Sequence, residues 1–223
     1  MKVLLARARW AAVLAVALTA LGSLLAGCGS SSGSAAKSSA TTAELNDRVN
    51  GSTYQGVGLT PPQPRPQFTL KDTSGRTFKF GSATAGKPTL LFFGYTNCPD
   101  VCPQTLADIT NALTTVPAKL KAETQVVFVT TDVKHDTAAV LKSYLGKFDV
   151  DLPTKFIGLY GTQSEIDAAQ VASHITLAED GGQTHSAEVL LYGSDDYARV
   201  AFLQSTNESG QIAHDLQLVS GVK

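Results

Sequence analysis

Hydrophobic positions change rhythm several times along the chain, and each rhythm predicts an element. "QFTLKD" and "TFKF" lie on either side of "TSGR", as two strands of a hairpin with a glycine turn would. "KPTLLFFGY" is an unbroken apolar run, the mark of a strand buried on both faces, and "TQVVFVTTD" is a second. Between them, "PQTLADITNALTTV" sets Leu106, Ile109 and Leu113 at helical spacing. "DTAAVLKSYLGKF" sets Val140, Leu141, Tyr144 and Leu145 on one helical stripe. A short strand, "KFIGLYG", precedes "TQSEIDAAQVASHI", where Thr162 and Glu165 have the spacing of a capping box. "SAEVLLYG" and "YARVAFLQ" read as a hairpin around "SDD", and "ESGQIAHDLQLVS" as a closing helix. Buried strands alternating with helices predict an α/β fold with a partly parallel, mixed central sheet flanked by helices and an N-terminal hairpin extension.

Ahead of Gln67 the pattern is different. "MKVLLARARW" is basic and "AAVLAVALTALGSLLAG" is apolar, so residues 1–27 read as an export signal and not as part of the fold. The run is also about long enough to span a bilayer, which makes an uncleaved anchor the rival reading. It ends in "LLAGC", which resembles the bacterial lipobox. That resemblance implies diacylation of Cys28 as the mature N-terminus, sufficient for stable anchoring at the extracytoplasmic face of the cell membrane. "GSSSGSAAKSSATTAEL" has no aromatic residue and too little apolar surface to fold, and "LTPPQPRPQ" stiffens the chain with four prolines. Residues 28–66 are therefore expected to be a tether, and 67–223 the folded domain.

Composition narrows the partners. The 223-residue chain has a formal net charge of −1 and 17% charged residues, which gives no reason to expect nucleic acid. With Cys28 assigned to lipid, the domain keeps two of the three cysteines, on the oxidising side of a membrane.

Those two, Cys98 and Cys102, sit in "FFGYTNCPDVCPQTL", between the first buried strand and its helix. In open α/β sheets, chemistry gathers at the C-terminal ends of strands. Unpaired amides and the dipole at a helix start favour thiolates, and Pro103 fits a first helical turn. A structural disulfide, a redox dithiol and a pair of metal ligands all remain open. The three-residue spacing is wider than the two-residue spacing of thioredoxin dithiols, and a disulfide there would close too short a loop to stabilise much. As metal ligands the thiolates need a third donor. Of the four histidines, His135, His174 and His214 read as surface or satisfied residues, whereas His185 stands in a Gly-led loop directly before an apolar strand. Two sulfurs and an imidazole suit copper, Cu(I) especially, and zinc would usually want a fourth ligand.

"FFGYTNCPDVCPQTL" closely resembles the signature of the Sco/SenC family. "VVFVTTDVKHDTAAVLKSYLGKF", "FIGLYGTQSEIDAAQ" and "THSAEVLLYGSDDYARVAF" are similar to later family segments, in the same order. The resemblance runs from about Gln67 to Ser220. It implies a thioredoxin-like fold and a membrane-tethered protein that binds copper through Cys98, Cys102 and His185. It also implies a role in assembling the CuA centre on subunit II of cytochrome c oxidase, by carrying copper, by reducing the target's cysteines, or both. The chain departs from the pattern at Val133, where many relatives have proline, and at Thr184, where many have aspartate. Asp132 is expected either to cap its turn or to partner a ligand, and Asp100 to solvate its loop or meet a partner. The alternative function is a thiol–disulfide oxidoreductase, against which stands the lack of any proline after Pro153 to face the cysteines. A cysteine peroxidase fits the motif less well.

Overall fold

Apolar runs that alternate with helices gather into one eight-stranded mixed sheet. The computed structural model describes residues 48–49, 52–203 and 208–221. The expected signal segment, Cys28 and the first part of the expected tether lie outside the described residues. The elements in chain order are β1 (Arg48–Val49), β2 (Ser52–Thr53), β3 (Val57–Pro64), β4 (Thr69–Asp72), β5 (Thr77–Lys79), α1 (Phe80–Thr84), β6 (Thr89–Gly94), α2 (Val101–Thr115), α3 (Ala118–Glu123), β7 (Gln125–Thr130), α4 (Ala138–Leu145), β8 (Ile157–Tyr160), α5 (Gln163–Ala172), β9 (Glu188–Tyr192), β10 (Tyr197–Leu203) and α6 (Ser209–Ser220). The main sheet runs β3-β10-β9-β6-β7-β8-β4-β5; β6, β7 and β8 are parallel neighbours, and the remaining pairings are antiparallel.

The unbroken apolar run of β6 has a simple cause: every residue of it is buried. Leu90 and Phe92 join the core under α2, α4 and α6, while Leu91 and Phe93 join the core on the other face with Phe80, Leu159 and Ile166. Strand alternation divides one run between two cores, and each fully buried side chain contributes roughly 1.5–3 kcal/mol. The capping box at Thr162 and Glu165 is present, and the β4–β5 and β9–β10 hairpins form where the pattern placed them. Val140 leaves its expected stripe and is 42% exposed, because Leu141 and Leu145 already fill the α4 contact.

The fold starts earlier than Gln67. Residues 54–66, expected as tether, pack into the domain: Tyr54 enters the core and β3 pairs with β10 at the sheet edge. Proline is tolerated there because an edge strand has one side without ladder bonds. Two buried charges fasten the segment. The Asp215 carboxylate accepts the Gln55 and Gly56 amides at 2.8–3.0 Å. The Arg65 guanidinium reaches Asp196 at 2.7 Å, Thr84 and the Lys87 carbonyl at 2.9 Å, and the Gly193 carbonyl at 3.0 Å. No sequence period signals either charge.

Arg65→Met retains most of the buried stem and removes every one of these bonds. It should lower the unfolding free energy in urea by about 3 kcal/mol, since each partner loses a charge-assisted hydrogen bond.

Candidate metal centre

β6 lies between β7 and β9, and this order creates the site. β6 and β9 are antiparallel, with Phe92 opposite Val189. The C-terminal end of β6 therefore meets the start of β9. Continuing that register sets Ala187 against Gly94, so the segment carrying His185 runs beside the one carrying Tyr95 and Cys98.

The cysteine loop is held from below. Asp136, 3% exposed, accepts the Thr96 amide at 3.0 Å, the Thr96 hydroxyl at 2.5 Å and the Thr130 hydroxyl at 2.6 Å. The Thr131 amide donates to the Gly94 carbonyl at 2.8 Å. A β-carbon on Gly94 would come within 2.9 Å of Cys102 Sγ, so the strand has to end in glycine to admit the sulfur.

Cys98 is half-buried and precedes α2; Cys102 is the second residue of that helix and is fully buried. The Cys102 amide donates to Cys98 Sγ at 3.3 Å, and both cysteines are free. At Cys102 burial works against the thiolate that a helix start favours. Burial pushes the Cys102 thiol well above the usual thiol range, reinforced by Cys98 and Asp136 and only partly opposed by the Tyr95 backbone. Desolvation outweighs the helix dipole because the sulfur faces the core.

His185 is positioned by a long return from α5. The loop is pinched by the Glu179–Thr184 pair, with Glu179 N donating to Thr184 O at 2.7 Å. Gly182 adopts φ +98°, and a β-carbon there would overlap the Thr131 carbonyl. The Thr131 hydroxyl donates to the Gly182 carbonyl at 2.6 Å, which ties the histidine loop to the end of β7. His185 Nδ1 lies 2.8 Å from the Ser186 carbonyl. A carbonyl only accepts, so Nδ1 carries the hydrogen and Nε2 presents its lone pair. Nε2 lies 3.9 Å from Cys102 Sγ. Burial lowers the imidazole pKa, more than the Ser186 carbonyl raises it, and favours the neutral ligand form. The Tyr95 ring stands edge-on to the imidazole, with centroids 5.6 Å apart.

The site thus brings Cys102 and His185 together, with Cys98 beside Cys102. Among the described residues no three His, Cys, Asp or Glu side chains are gathered tightly enough to hold a metal as they stand. The Cys102–His185 half has a suitable span. An ion at about 2.3 Å from sulfur and about 2.0 Å from nitrogen, as in zinc sites, would subtend roughly 130° across 3.9 Å, close to trigonal. The Cys98 sulfur would have to turn toward that point. The other histidines lie elsewhere: His135 is bonded to Asp132 at 2.8 Å, His214 to Asp215 at 2.7 Å, and His174 is exposed with φ +56° at the end of α5. Asp132 is therefore a turn cap, accepting the His135 amide as well. The Thr184 hydroxyl donates to Asp180 at 2.8 Å, so it serves the loop and not the imidazole. Asp100 caps α2 through the Val101 amide at 2.6 Å. Sequence reasoning missed Asp136, Ser186 and the Gly182–Thr131 contact; only the paired glycines before His185 hinted at a close approach.

Comparison with known proteins agrees with this architecture. Residues 59–220 match the family model described as SCO1/SenC. A SCO2-like protein of Rickettsia felis is 32% identical over 140 residues, which are 63% of this chain and 63% of that one, so the chain spans under two-thirds of that relative's length. The solution structure of apo Sco1 from Thermus thermophilus superposes with a TM-score of 0.62 and 28% identity, over 74% of this chain and 96% of that one. Bradyrhizobium japonicum ScoI, solved with copper bound, gives a TM-score of 0.56 and 31% identity, over 70% of this chain and 99% of that one. With thioredoxin-like α/β topology and a family match over most of its length, the chain belongs to the SCO1/SenC family.

Proposed function

We propose that the protein is a copper chaperone tethered to the extracytoplasmic face of the cell membrane. It would ligate copper with Cys98, Cys102 and His185 and assist assembly of the CuA centre on cytochrome c oxidase subunit II. The observation that carries this reading is the His185 Nε2 lone pair, fixed by the Ser186 carbonyl and held 3.9 Å from a buried cysteine sulfur. A redox dithiol has no need of that imidazole. Sulfur and imidazole donors favour Cu(I), and the B. japonicum relative was solved with copper bound. The anchor in this reading is the lipid on Cys28, supported by the resemblance of "LLAGC" to the bacterial lipobox. A tether would hold the domain at high effective concentration near a membrane-bound acceptor.

Cys98→Ser, Cys102→Ser and His185→Ala should each weaken Cu(I) binding by at least ~100-fold in competition with a chromophoric chelator, exceeding the 10–100-fold typical of residues behind the ligands. His174→Ala and His214→Ala should leave it unchanged.

Binding should also strengthen with pH. The Cys102 thiol holds its proton through the neutral range because burial raises its pKa, and the proton must leave when copper binds. Apparent affinity should rise about tenfold per pH unit for each proton released, read between pH 6 and 8. Affinity independent of pH would contradict the account.

One observation supports a second reading, reduction of the acceptor's cysteines. Cys98 is partly exposed and receives the Cys102 amide hydrogen, whereas Cys102 is buried. Cys98 would attack a target disulfide and release one target thiolate. Cys102 would then attack Cys98 Sγ in the mixed disulfide, releasing the second and leaving a Cys98–Cys102 disulfide. His185→Ala separates the readings: it should abolish tight copper binding and leave thiol–disulfide exchange within about twofold of the parent.

A further inference from the structure

One residue meets all three candidate ligands without being one of them. Tyr95 follows β6 directly, and its backbone is fixed on both sides. The Gly94 carbonyl before it accepts the Thr131 amide at 2.8 Å, and the Thr96 amide after it donates to Asp136 at 3.0 Å. A side chain rooted between two such anchors has little freedom beyond its own rotamers.

Its contacts divide among the three. The Tyr95 carbonyl accepts the Cys98 amide at 3.4 Å, which sets the turn that carries the first sulfur. The Tyr95 backbone favours charge on the Cys102 sulfur, against the burial that opposes it. The Tyr95 ring meets the His185 imidazole edge-on, with planes at 89° and centroids 5.6 Å apart. The electrostatics of aromatic rings favour this T-shaped arrangement. The Ser186 carbonyl holds one corner of the imidazole, and the tyrosine ring holds its tilt. The Tyr95 phenol interacts with the Cys98 side chain through charge and through a hydrogen bond. A neutral phenol is the donor in that pair. The Cys102 amide, 3.3 Å from Cys98 Sγ, is a second donor to the same sulfur.

We infer that Tyr95 is a positioning residue of the copper centre, its hydroxyl holding the Cys98 sulfur and its ring holding the His185 imidazole. The inference rests on the chaperone reading and adds a side chain that acts on copper through two of its ligands. Cys98 is the ligand whose sulfur has to turn toward the Cys102–His185 pair, and Tyr95 touches both that sulfur and that imidazole. A copper-bound thiolate keeps lone pairs that accept a phenol hydrogen. Such a bond draws electron density from the sulfur and tunes the metal–sulfur bond.

The test uses the reduced full chain in detergent, with Cu(I) for affinity and Cu(II) as a spectroscopic probe. Tyr95→Phe keeps the ring and removes the hydroxyl. It should weaken Cu(I) binding about tenfold, the lower end of the effect of residues behind metal ligands. It should also move the sulfur-to-Cu(II) charge-transfer band to longer wavelength, because a sulfur without its hydrogen bond gives up electrons more easily. The copper-free variant should melt with the parent; a merely structural hydroxyl would lower that midpoint and leave the band in place. Tyr95→Leu removes the ring as well. It should weaken binding about 100-fold and diminish the imidazole outer-shell scattering at the copper edge. A Tyr95→Phe chain with parent affinity and an unmoved band would overturn the inference and leave the chaperone reading standing. So would a Tyr95→Leu chain indistinguishable from Tyr95→Phe. If the parent itself binds no copper tightly, the chaperone reading fails and takes the inference with it.

Discussion

The antiparallel pairing of β6 with β9 is the constraint on which the site depends. Cys102 and His185 are 83 residues apart in sequence, yet their side chains come within 3.9 Å. They meet because one strand ends where the other begins. β7, on the other side of β6, and the turn after it supply the supports: Thr130 and Asp136 hold the cysteine loop, and Thr131 holds the histidine loop. Three neighbouring central strands thus present one cluster of candidate donors at one end of the sheet, and the order β9-β6-β7 serves both the core and the site.

The electrostatics of the cluster favour neutral Cys102 and His185 side chains. Burial opposes charge on both Cys102 and His185, raising the thiol pKa and lowering that of the imidazole. A cation is the partner that makes a buried thiolate affordable, since it supplies the missing counter-charge at bonding distance. The glycines at 94 and 182 belong to the same design. Each sits where a β-carbon would collide with an atom the site needs, the Cys102 sulfur in one case and the Thr131 carbonyl in the other.

Much of this was legible in the sequence. Continuous apolar runs marked β6 and β7 because both of their faces are covered, and helical spacing marked α2 because one of its faces packs on the core. The cysteine motif and the strand following His185 pointed to the residues that the fold brings together, Cys102 and His185. Other features left no periodic trace. β3 is proline-rich and half-exposed, so it reads as linker until Arg65 and Asp215 reveal how it is fastened. Asp136 looks like any loop aspartate, and its role depends on Thr96, 40 residues earlier in the chain. The burial that raises the Cys102 thiol pKa depends on which way the first turn of α2 faces, which a helix-start rule does not specify.

The central claim is that one copper ion draws the Cys98 and Cys102 sulfurs and the His185 imidazole to a single point. X-ray absorption at the copper edge of the Cu(I)-loaded full chain tests it most directly. The account predicts a mononuclear ion with two sulfur neighbours and one nitrogen neighbour showing imidazole outer-shell scattering. A copper shell made of sulfur alone, or copper–copper scattering from a shared cluster, would contradict it.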